Sequence, residues 1–522
     1  MGVRIPPGAP LRTSLCSVLR GASTKNMSNK AKIEKFNIPE EVSRVTGKLK
    51  EAGFEACLVG GCVRDLFMRR EPKDWDVTTN ARPEEIISLF PKTFYENNFG
   101  TVAVVDESHS VKESLKVIEI TPYRLESSYS DHRRPDKVTF SKDIQDDLKR
   151  RDFTINAIAY DVETGEIVDP FYGIADLSRG IIKTVGDPKD RFFEDGLRIM
   201  RAIRFHVELG FPLDAETEKS VLENKDILKE VSRERIRDEL LKIIMSKNPM
   251  EGFQLLKKLN LIHYVLPELE EGIGIEQKGI HIYDVWTHLV RCLQCAADKD
   301  FPLHVRLAAL LHDVAKPVTR RLDKESDGYT FYGHEVVGSR VTKKILENLR
   351  LPKETIDKVV NLVRWHMFFS DTETITPSAV RRLVANVGKE SIWDLMNVRI
   401  CDRVGTGRPK ENPYRLRKYK AMIEEVMRDP ISVSMLKIDG KKIMEILNIP
   451  PGPMVGLILN ALMEEVLEDP KLNAEEYLNK KTVELSKMSL KELGELAKKG
   501  KQKKDELEED QIKEIRGKYH VG

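Results

Sequence analysis

The chain has 522 residues, 40% of them hydrophobic, and 86 Lys and Arg stand against 84 Asp and Glu for a net charge of +2; it is too long for one core, and about three to four domains are expected. With 33% charged residues and signs that nearly cancel, a globally basic nucleic-acid binder is excluded, and any nucleic-acid surface has to be a local patch. No apolar run approaches the roughly 20 residues of a membrane span, and six cysteines over this length make no disulfide framework, which indicates a reducing compartment.

The N-terminal segment carries Arg4, Arg12, Arg20 and Lys25 and no acid before Glu34. One reading is an organellar transit peptide. We prefer another: Gly2-Val3-Arg4-Ile5-Pro6-Pro7-Gly8-Ala9-Pro10 back-translates to codons that accommodate GTTCGAATCC, a tRNA T-arm consensus, and end in CCA. Residues 1–33 are then a disordered or wrongly included extension, and translation begins at Met27 or nearby in a bacterial, cytoplasmic protein. Residues 34–53 form an amphipathic helix with Val42, Val45 and Leu49 on one face. Strands are expected at Ala56–Val59, Trp75–Thr78, Thr101–Val105, Val117–Thr121 and Ile158–Asp161, giving a head with a mixed sheet.

Beyond residue 190 the strand signals stop. Helices are expected over Phe192–Phe205, Glu216–Lys229, Arg233–Ile244 and Gly252–Leu259. Residues 281–405 are helical and dotted with histidines. Cys292 and Cys295 stand there at i, i+3 and read as two core-facing residues. Pro451-Gly452-Pro453 opens a helix reaching about Glu468. The final stretch is dense in Lys and Glu and reads as an exposed helix or a partly disordered tail.

Chemistry concentrates first in the head. Leu58-Val59-Gly60-Gly61 leads an apolar strand into a glycine turn, followed by Arg64 and Asp65 and then Asp74-Trp75-Asp76. Two glycines let backbone N–H groups approach a polyphosphate. Two carboxylates at i, i+2 of a strand share a face and call for a divalent cation between them. Glu119 lies in the β-branched run Val117-Ile118-Glu119-Ile120-Thr121 and is the third acid; the alternative is a surface-facing strand residue. Three acids with two Mg²⁺ ions suit nucleotidyl transfer. Arg150-Arg151-Asp152-Phe153-Thr154-Ile155-Asn156-Ala157 offers forked donors to phosphate and a carboxylate for ribose. Glu194-Asp195-Gly196-Leu197-Arg198, continuing to Arg201 and Arg204, places Asp195 and Arg198 at i, i+3, which as a bare pattern is a surface ion pair.

Taken in order over about 180 residues, Gly60-Gly61-x-Val63-Arg64-Asp65, Asp74-x-Asp76, Arg150-Arg151-Asp152-Phe153-Thr154-x-Asn156-Ala157, Glu194-Asp195-x-x-Arg198 and Arg233-Glu234-Arg235-Ile236 with Glu239-Leu240 resemble the class II tRNA nucleotidyltransferases, the CCA-adding enzymes, and their bacterial poly(A) polymerase relatives. The resemblance implies a multidomain α+β chain, with a nucleotidyltransferase palm followed by all-α neck, body and tail regions. It implies catalytic and Mg²⁺-binding roles for Asp74, Asp76 and Glu119. It assigns nucleotide binding to Gly60, Gly61, Arg64, Arg151, Asp152, Asn156, Asp195, Arg198, Arg201 and Arg204. Asp195 and Arg198 would together read the edge of the incoming base without a template. The implied partners are tRNA, CTP and ATP. Phe99-Gly100-Thr101-Val102 resembles the CCA-adding type, and no Gly-Arg-Arg/Lys-Phe pattern of poly(A) polymerases is found. The alternatives are a poly(A) polymerase, a CC-adding or A-adding enzyme, and an RNA-binding protein with decayed sites. Full versus partial addition depends on a flexible loop expected over residues 124–140.

A second constellation comprises His288, His312-Asp313, His334, His366 and Asp402, which resembles the HD phosphohydrolase superfamily. It implies a divalent-metal site whose metal is not determined by the ligand set. The chemistry would be phosphatase or 2′,3′-cyclic phosphodiesterase; the alternative is a domain that keeps its ligands and only holds tRNA. Leu436–Ile443 and Pro450–Pro453 resemble the C-terminal part of HD-bearing members, where lysines track tRNA phosphates or simply solvate a helix. The expected layout is a head at 34–175, a helical neck and body at 176–275, an HD domain at 276–410 and a tail at 411–522. Neither a membrane association nor an obligate protein partner is indicated, and the oligomeric state and HD substrate are open.

Overall fold

The computed structural model describes residues 30–496 apart from 33–34, 96–99, 106–111, 128–136, 278–281, 324–327, 369–374 and 409. Two compact units result: one runs to Ile243 and takes in Glu251–Val265, the other comprises Ile244–Met250 and the chain from Leu266 onward.

The first unit is built on an eight-stranded sheet in the order β1-β10-β9-β2-β3-β6-β5-β4. Its strands are β1 Lys30–Lys32, β2 Ala56–Val59, β3 Trp75–Thr79, β4 Thr93–Tyr95, β5 Val102–Val105, β6 Val117–Pro122, β9 Ala159–Tyr160 and β10 Glu166–Val168. β3 and β6 run parallel, and the other neighbours are antiparallel, so the sheet is mixed as expected. Lys30–Lys32 pair with Glu166–Val168. These residues follow Met27; the rest of the 1–33 extension, and the Phe99 end of the Phe99–Val102 motif, lie outside the described residues.

Side chains alternate across the pleat. One face of the central strands carries Leu58, Val77, Ile118 and Ile120, all buried. The helix α1 (Glu40–Glu51) buries the predicted Val42, Val45 and Leu49. The other face carries Asp76, Thr78, Glu119 and Thr121, in register across β3 and β6. The expected loop over 124–140 has ordered arms: β7 (Arg124–Ser127) pairs antiparallel with β8 (Lys137–Phe140), and only 128–136 between them lies outside the described residues.

Helices follow. The expected single helix 192–205 is two, α3 (Pro188–Glu194) and α4 (Leu197–Leu209). The break falls at Asp195-Gly196, where the Asp195 carboxylate accepts from the Leu197 N–H at 3.0 Å and starts the second helix. α5 spans Arg233–Met245.

In the second unit α6 (Val285–Asp298), α7 (Leu303–Leu311), α8 (His334–Asn348), α9 (Lys353–Trp365) and α10 (Ile392–Gly405) enclose the histidines. Cys292 and Cys295 on α6 are both buried, as expected. The last long helix, α11 (Pro453–Glu468), starts at the predicted Gly452-Pro453. Among the described residues no helix is long and apolar enough to cross a membrane.

Candidate active sites

The head site forms where β2 ends. Val59 hands the chain to Gly60, whose φ of 82° is a conformation side chains rarely adopt. A Cβ there would meet an Arg151 guanidinium nitrogen at 3.1 Å and an Asp76 carboxylate oxygen at 3.3 Å. Gly61 begins the helix α2 (Gly61–Phe67). The absent side chain at Gly60 lets the turn lie against both a carboxylate and a guanidinium.

Asp76 lies on β3 directly beside Glu119 on β6. Asp74 precedes β3 by one residue and is exposed, on the same face by alternation. Burial raises the Asp76 pKa; Arg151 opposes that shift and the charge of Asp74 adds to it. The structure therefore sets Asp76 and Glu119 side by side on one sheet face, with Asp74 close enough for its charge to act on Asp76, and a divalent cation fits such a donor set.

Around them arginines are anchored by buried carboxylates. Asp147, which the sequence reading missed, is fully buried and takes a fork from Arg150 at 2.6 and 2.9 Å and a bond from Arg151 at 3.1 Å. Its burial opposes ionisation, but the two guanidiniums hold its pKa below the usual carboxylate value. Arg64 donates to Asp65 and, at 2.9 Å, to Asn156. Asn156 in turn donates to Asp152 at 3.2 Å, and Arg201 reaches Asp152 at 2.7 Å. Against the cost of burial, Arg201 leads the forces that bring the Asp152 pKa down to about 2. Arg204 pairs with the buried Glu239 at 2.9 Å.

Asp195 and Arg198 do not pair with each other. Arg235 grips Asp195 with two parallel bonds of 2.9 and 2.7 Å. Arg198 donates to Glu194 at 2.5 Å and to the carbonyls of Arg191 and Arg150. The i, i+3 reading fails because the helix breaks between them. Arg235 was visible only as part of a motif, and its role as partner required the fold.

The second cluster is tighter. The Nε2 atoms of His288 and His312 stand 3.1 Å apart, and those of His334 and His366 3.2 Å apart. Asp313 lies between the pairs. Its Oδ2 is 3.3 Å from both His288 and His312, and its Oδ1 is 3.1 Å from His334 and 3.5 Å from His366. Asp402 is 3.5 Å from His288 and is held by Arg399 at 2.7 Å. All six predicted ligands are brought together.

The sequence does not show what orients them. His312, His334 and His366 turn Nδ1 to the carbonyls of Ala309, Phe331 and Val363 at 2.7–3.0 Å. That fixes Nδ1–H as the donor and leaves Nε2 as a lone pair. Lone pairs converging at 3.1–3.2 Å repel unless a cation lies between them. Against the cost of burial, Asp313 and Asp402 raise His312 to about 10, so that with no metal bound a proton takes the cation's place on its Nε2, while burial lowers His366 to about 4. Asp313 and Asp402 stay well below the usual carboxylate range. His288, Cys292 and His312 form one group able to hold a metal ion, and His312, Asp313 and His366 another. Cys292 was not foreseen there; at i+4 from His288, it comes within 3.6 Å of its ring. Gly405 makes the room, since a Cβ there would sit 2.3 Å from that sulfur.

Three family models match in chain order: the "Poly A polymerase head domain" over residues 56–183, the "Probable RNA and SrmB- binding site of polymerase A" over 210–273, and the "HD domain" over 279–407. Curated relatives named CCA-adding enzyme include one from Lactobacillus delbrueckii subsp. bulgaricus, 47% identical over 211 residues, 40% of this chain and 51% of its own. One from Ligilactobacillus salivarius is 43% identical over 232 residues, 44% of this chain and 55% of its own. The chain thus spans about half the length of the curated relatives it matches. The crystal structure of the Bacillus stearothermophilus CCA-adding enzyme in complex with CTP covers 86% of this chain and 98% of its own at 27% identity and a TM-score of 0.64. The Thermotoga maritima CCA-adding enzyme complexed with tRNA, at 20% identity and a TM-score of 0.53 over 88% of this chain and all of its own, shares the fold. The chain thus carries a poly(A) polymerase head domain, the RNA-binding segment of such polymerases and an HD domain, in the order of the sequence motifs, and it is similar to CCA-adding enzymes.

Proposed function

We propose that the protein is a cytoplasmic, template-independent tRNA nucleotidyltransferase that builds or repairs the 3′-terminal CCA from CTP and ATP and releases pyrophosphate. The observation that carries this is the register of Asp76 beside Glu119 at the mouth of the Gly60 turn, with Arg151 alongside. Asp74, Asp76 and Glu119 hold Mg²⁺ in this reading. Bound there, Mg²⁺ supplies an activated 3′-hydroxyl and a clamp on the leaving pyrophosphate. Gly60, Gly61 and Arg151 receive the triphosphate. Arg64, Asp152 and Asn156 form a chain that orients the sugar, and Arg201 and Arg204 stiffen it from α4. Asp195, locked by Arg235, and Arg198 present fixed groups to the base. The domain layout expected from the sequence serves as the working division of the chain.

The HD cluster is proposed as a second, hydrolytic centre, in which His288, His312, Asp313, His334, His366 and Asp402 hold divalent metal. The metal supplies a water activated near neutral pH. The water oxygen bonds to phosphorus, one ester P–O bond breaks, and the leaving oxygen takes the proton. Lys316, bonded to Asp313 at 2.6 Å, holds that carboxylate in place. Such a centre would clear 2′,3′-cyclic or terminal phosphates from damaged tRNA ends.

The test uses tRNA transcripts lacking A, CA or CCA, each incubated with one NTP at a time, with products resolved to the nucleotide. CTP should add two residues to the shortest end and stop, and ATP one residue only after CC. Long A tracts favour a poly(A) polymerase, and no addition at all removes the reading.

A further inference from the structure

The HD cluster is joined at both ends to a small hairpin that the chemistry above does not use. Lys316, bonded to Asp313, begins a short helical turn, Lys316–Thr319. The chain then enters β11 (Arg321–Asp323) and β12 (Gly328–Thr330), which pair antiparallel. It returns through Phe331, whose carbonyl accepts from the ligand His334, and whose ring lies 5.8 Å from the Lys316 ammonium. The hairpin is therefore stapled to the metal ligands at its entry and its exit.

A two-stranded hairpin normally buries its apolar face to persist. Here the face stays open. Leu322 and Tyr329 are cross-strand partners and share a face; they are 64% and 37% exposed. The Arg320 guanidinium lies 3.4 Å over the Tyr329 ring. Tyr332, two residues before His334, is 54% exposed. Arg321 is exposed as well, on the opposite face of the strand from Leu322 and Tyr329. Flat aromatic rings, one already carrying a stacked guanidinium, make a surface that stacks bases and offers a positive charge to phosphate.

We propose that this hairpin, with Arg320 and Tyr332, is a stacking platform for the terminal nucleotides of single-stranded RNA. It presents a phosphate on an RNA 3′ end, rather than a free nucleotide, to the HD centre. The inference rests on the hydrolytic reading of that centre. The pairing of rings with a guanidinium decides the occupant: an apolar peptide would gain nothing from Arg320, whereas an RNA end stacks on the rings of Tyr329 and Tyr332 and sets its phosphate against Arg320.

The test uses the full chain with Mn²⁺ or Ni²⁺ and two substrates, 2′,3′-cyclic AMP and a short single-stranded RNA ending in a 2′,3′-cyclic phosphate. The RNA should show a KM lower by about tenfold or more, as one stacked base implies. Tyr329→Ala should erase that difference through the RNA's KM while leaving kcat and the mononucleotide's KM within about twofold. Tyr329→Phe should preserve it. Equal KM values in the unsubstituted protein, or a Tyr329→Ala loss shared by both substrates, would overturn the platform. In parallel, an RNA ending in 4-thiouridine is photo-crosslinked and the crosslinks mapped. Hydrolysis of neither substrate removes the hydrolytic reading alone. Crosslinks within 316–334 then still support the platform, and crosslinks confined to other segments overturn it.

Discussion

The head and the HD cluster both gather carboxylates, and they balance the charge in opposite ways. In the head the balancing cations belong to the chain. Asp147, Asp152 and Asp195 are each gripped by arginine, so the groups proposed to meet phosphate and base are held in place without a ligand. On the sheet face, Asp76 and Glu119 stand side by side in register, with Asp74 just before the strand. In the HD cluster the Nε2 atoms of four imidazoles gather around Asp313, two of them also near Asp402, and the chain's own cations there, Lys316 and Arg399, each hold a carboxylate. The first arrangement reads a substrate by preformed geometry, and the second depends on a metal for its charge balance.

The sharpest way to break that contrast is at the HD ligands. His312→Ala with Asp313→Ala should remove bound metal and leave hydrolysis below about 1% of wild type, since even outer partners of metal ligands cost 10- to 100-fold. Metal analysis of the purified protein and an assay on cyclic-phosphate ends check this. Retained metal at wild-type content would contradict it.

Next is Gly60→Ala. A side chain at φ 82° costs about 1–3 kcal/mol of stability and presses on Arg151 and Asp76. Nucleotide addition should fall about 10- to 100-fold, read as kcat/KM for CTP, with tRNA binding unchanged.

The Asp195–Arg235 fork sharpens the head side. Asp195→Ala and Arg235→Ala should each relax the exclusion of UTP and GTP by about 1–3 kcal/mol, and the double variant should do little more, because both remove one unit. Additive effects would separate the two residues. Unchanged selectivity in both would move base choice elsewhere.

The smallest effect is one of stability. The folded pKa of Asp152, about 2, lies below its unfolded value of about 3.9. The group therefore stabilises the fold fully above about pH 4, by about 2 kcal/mol, and loses that contribution as pH falls toward about 2. The deficit of Asp152→Asn in urea midpoint should shrink over that window. A deficit independent of pH would assign it to packing.

The strands of the head were legible because alternation and β-branched runs mark them; Ala56–Val59 and Trp75–Thr79 appear almost as read. The six HD ligands were legible through the resemblance of the His312-Asp313 pair, with a His upstream and an Asp far downstream, to the HD phosphohydrolase superfamily. The break in the helix at Asp195-Gly196 was not, because apolar residues from Phe192 to Phe205 keep helical spacing across it while Gly196 packs against Ile227 and Val231. The Asp195–Arg235 grip spans 40 residues, and a local charge rule points to the wrong arginine. The carbonyls that orient His312, His334 and His366 are backbone groups, which no residue type announces.

The central claim is that two metal-dependent centres act separately in one chain. The direct measurement is the extension of a tRNA lacking CCA, with CTP, ATP and Mg²⁺, by Asp76→Ala and by the His312→Ala, Asp313→Ala double variant side by side. The account predicts that Asp76→Ala binds tRNA and adds nothing, while the double variant adds CCA at the wild-type rate. Addition above a few percent by Asp76→Ala, or its loss in the double variant, would contradict it.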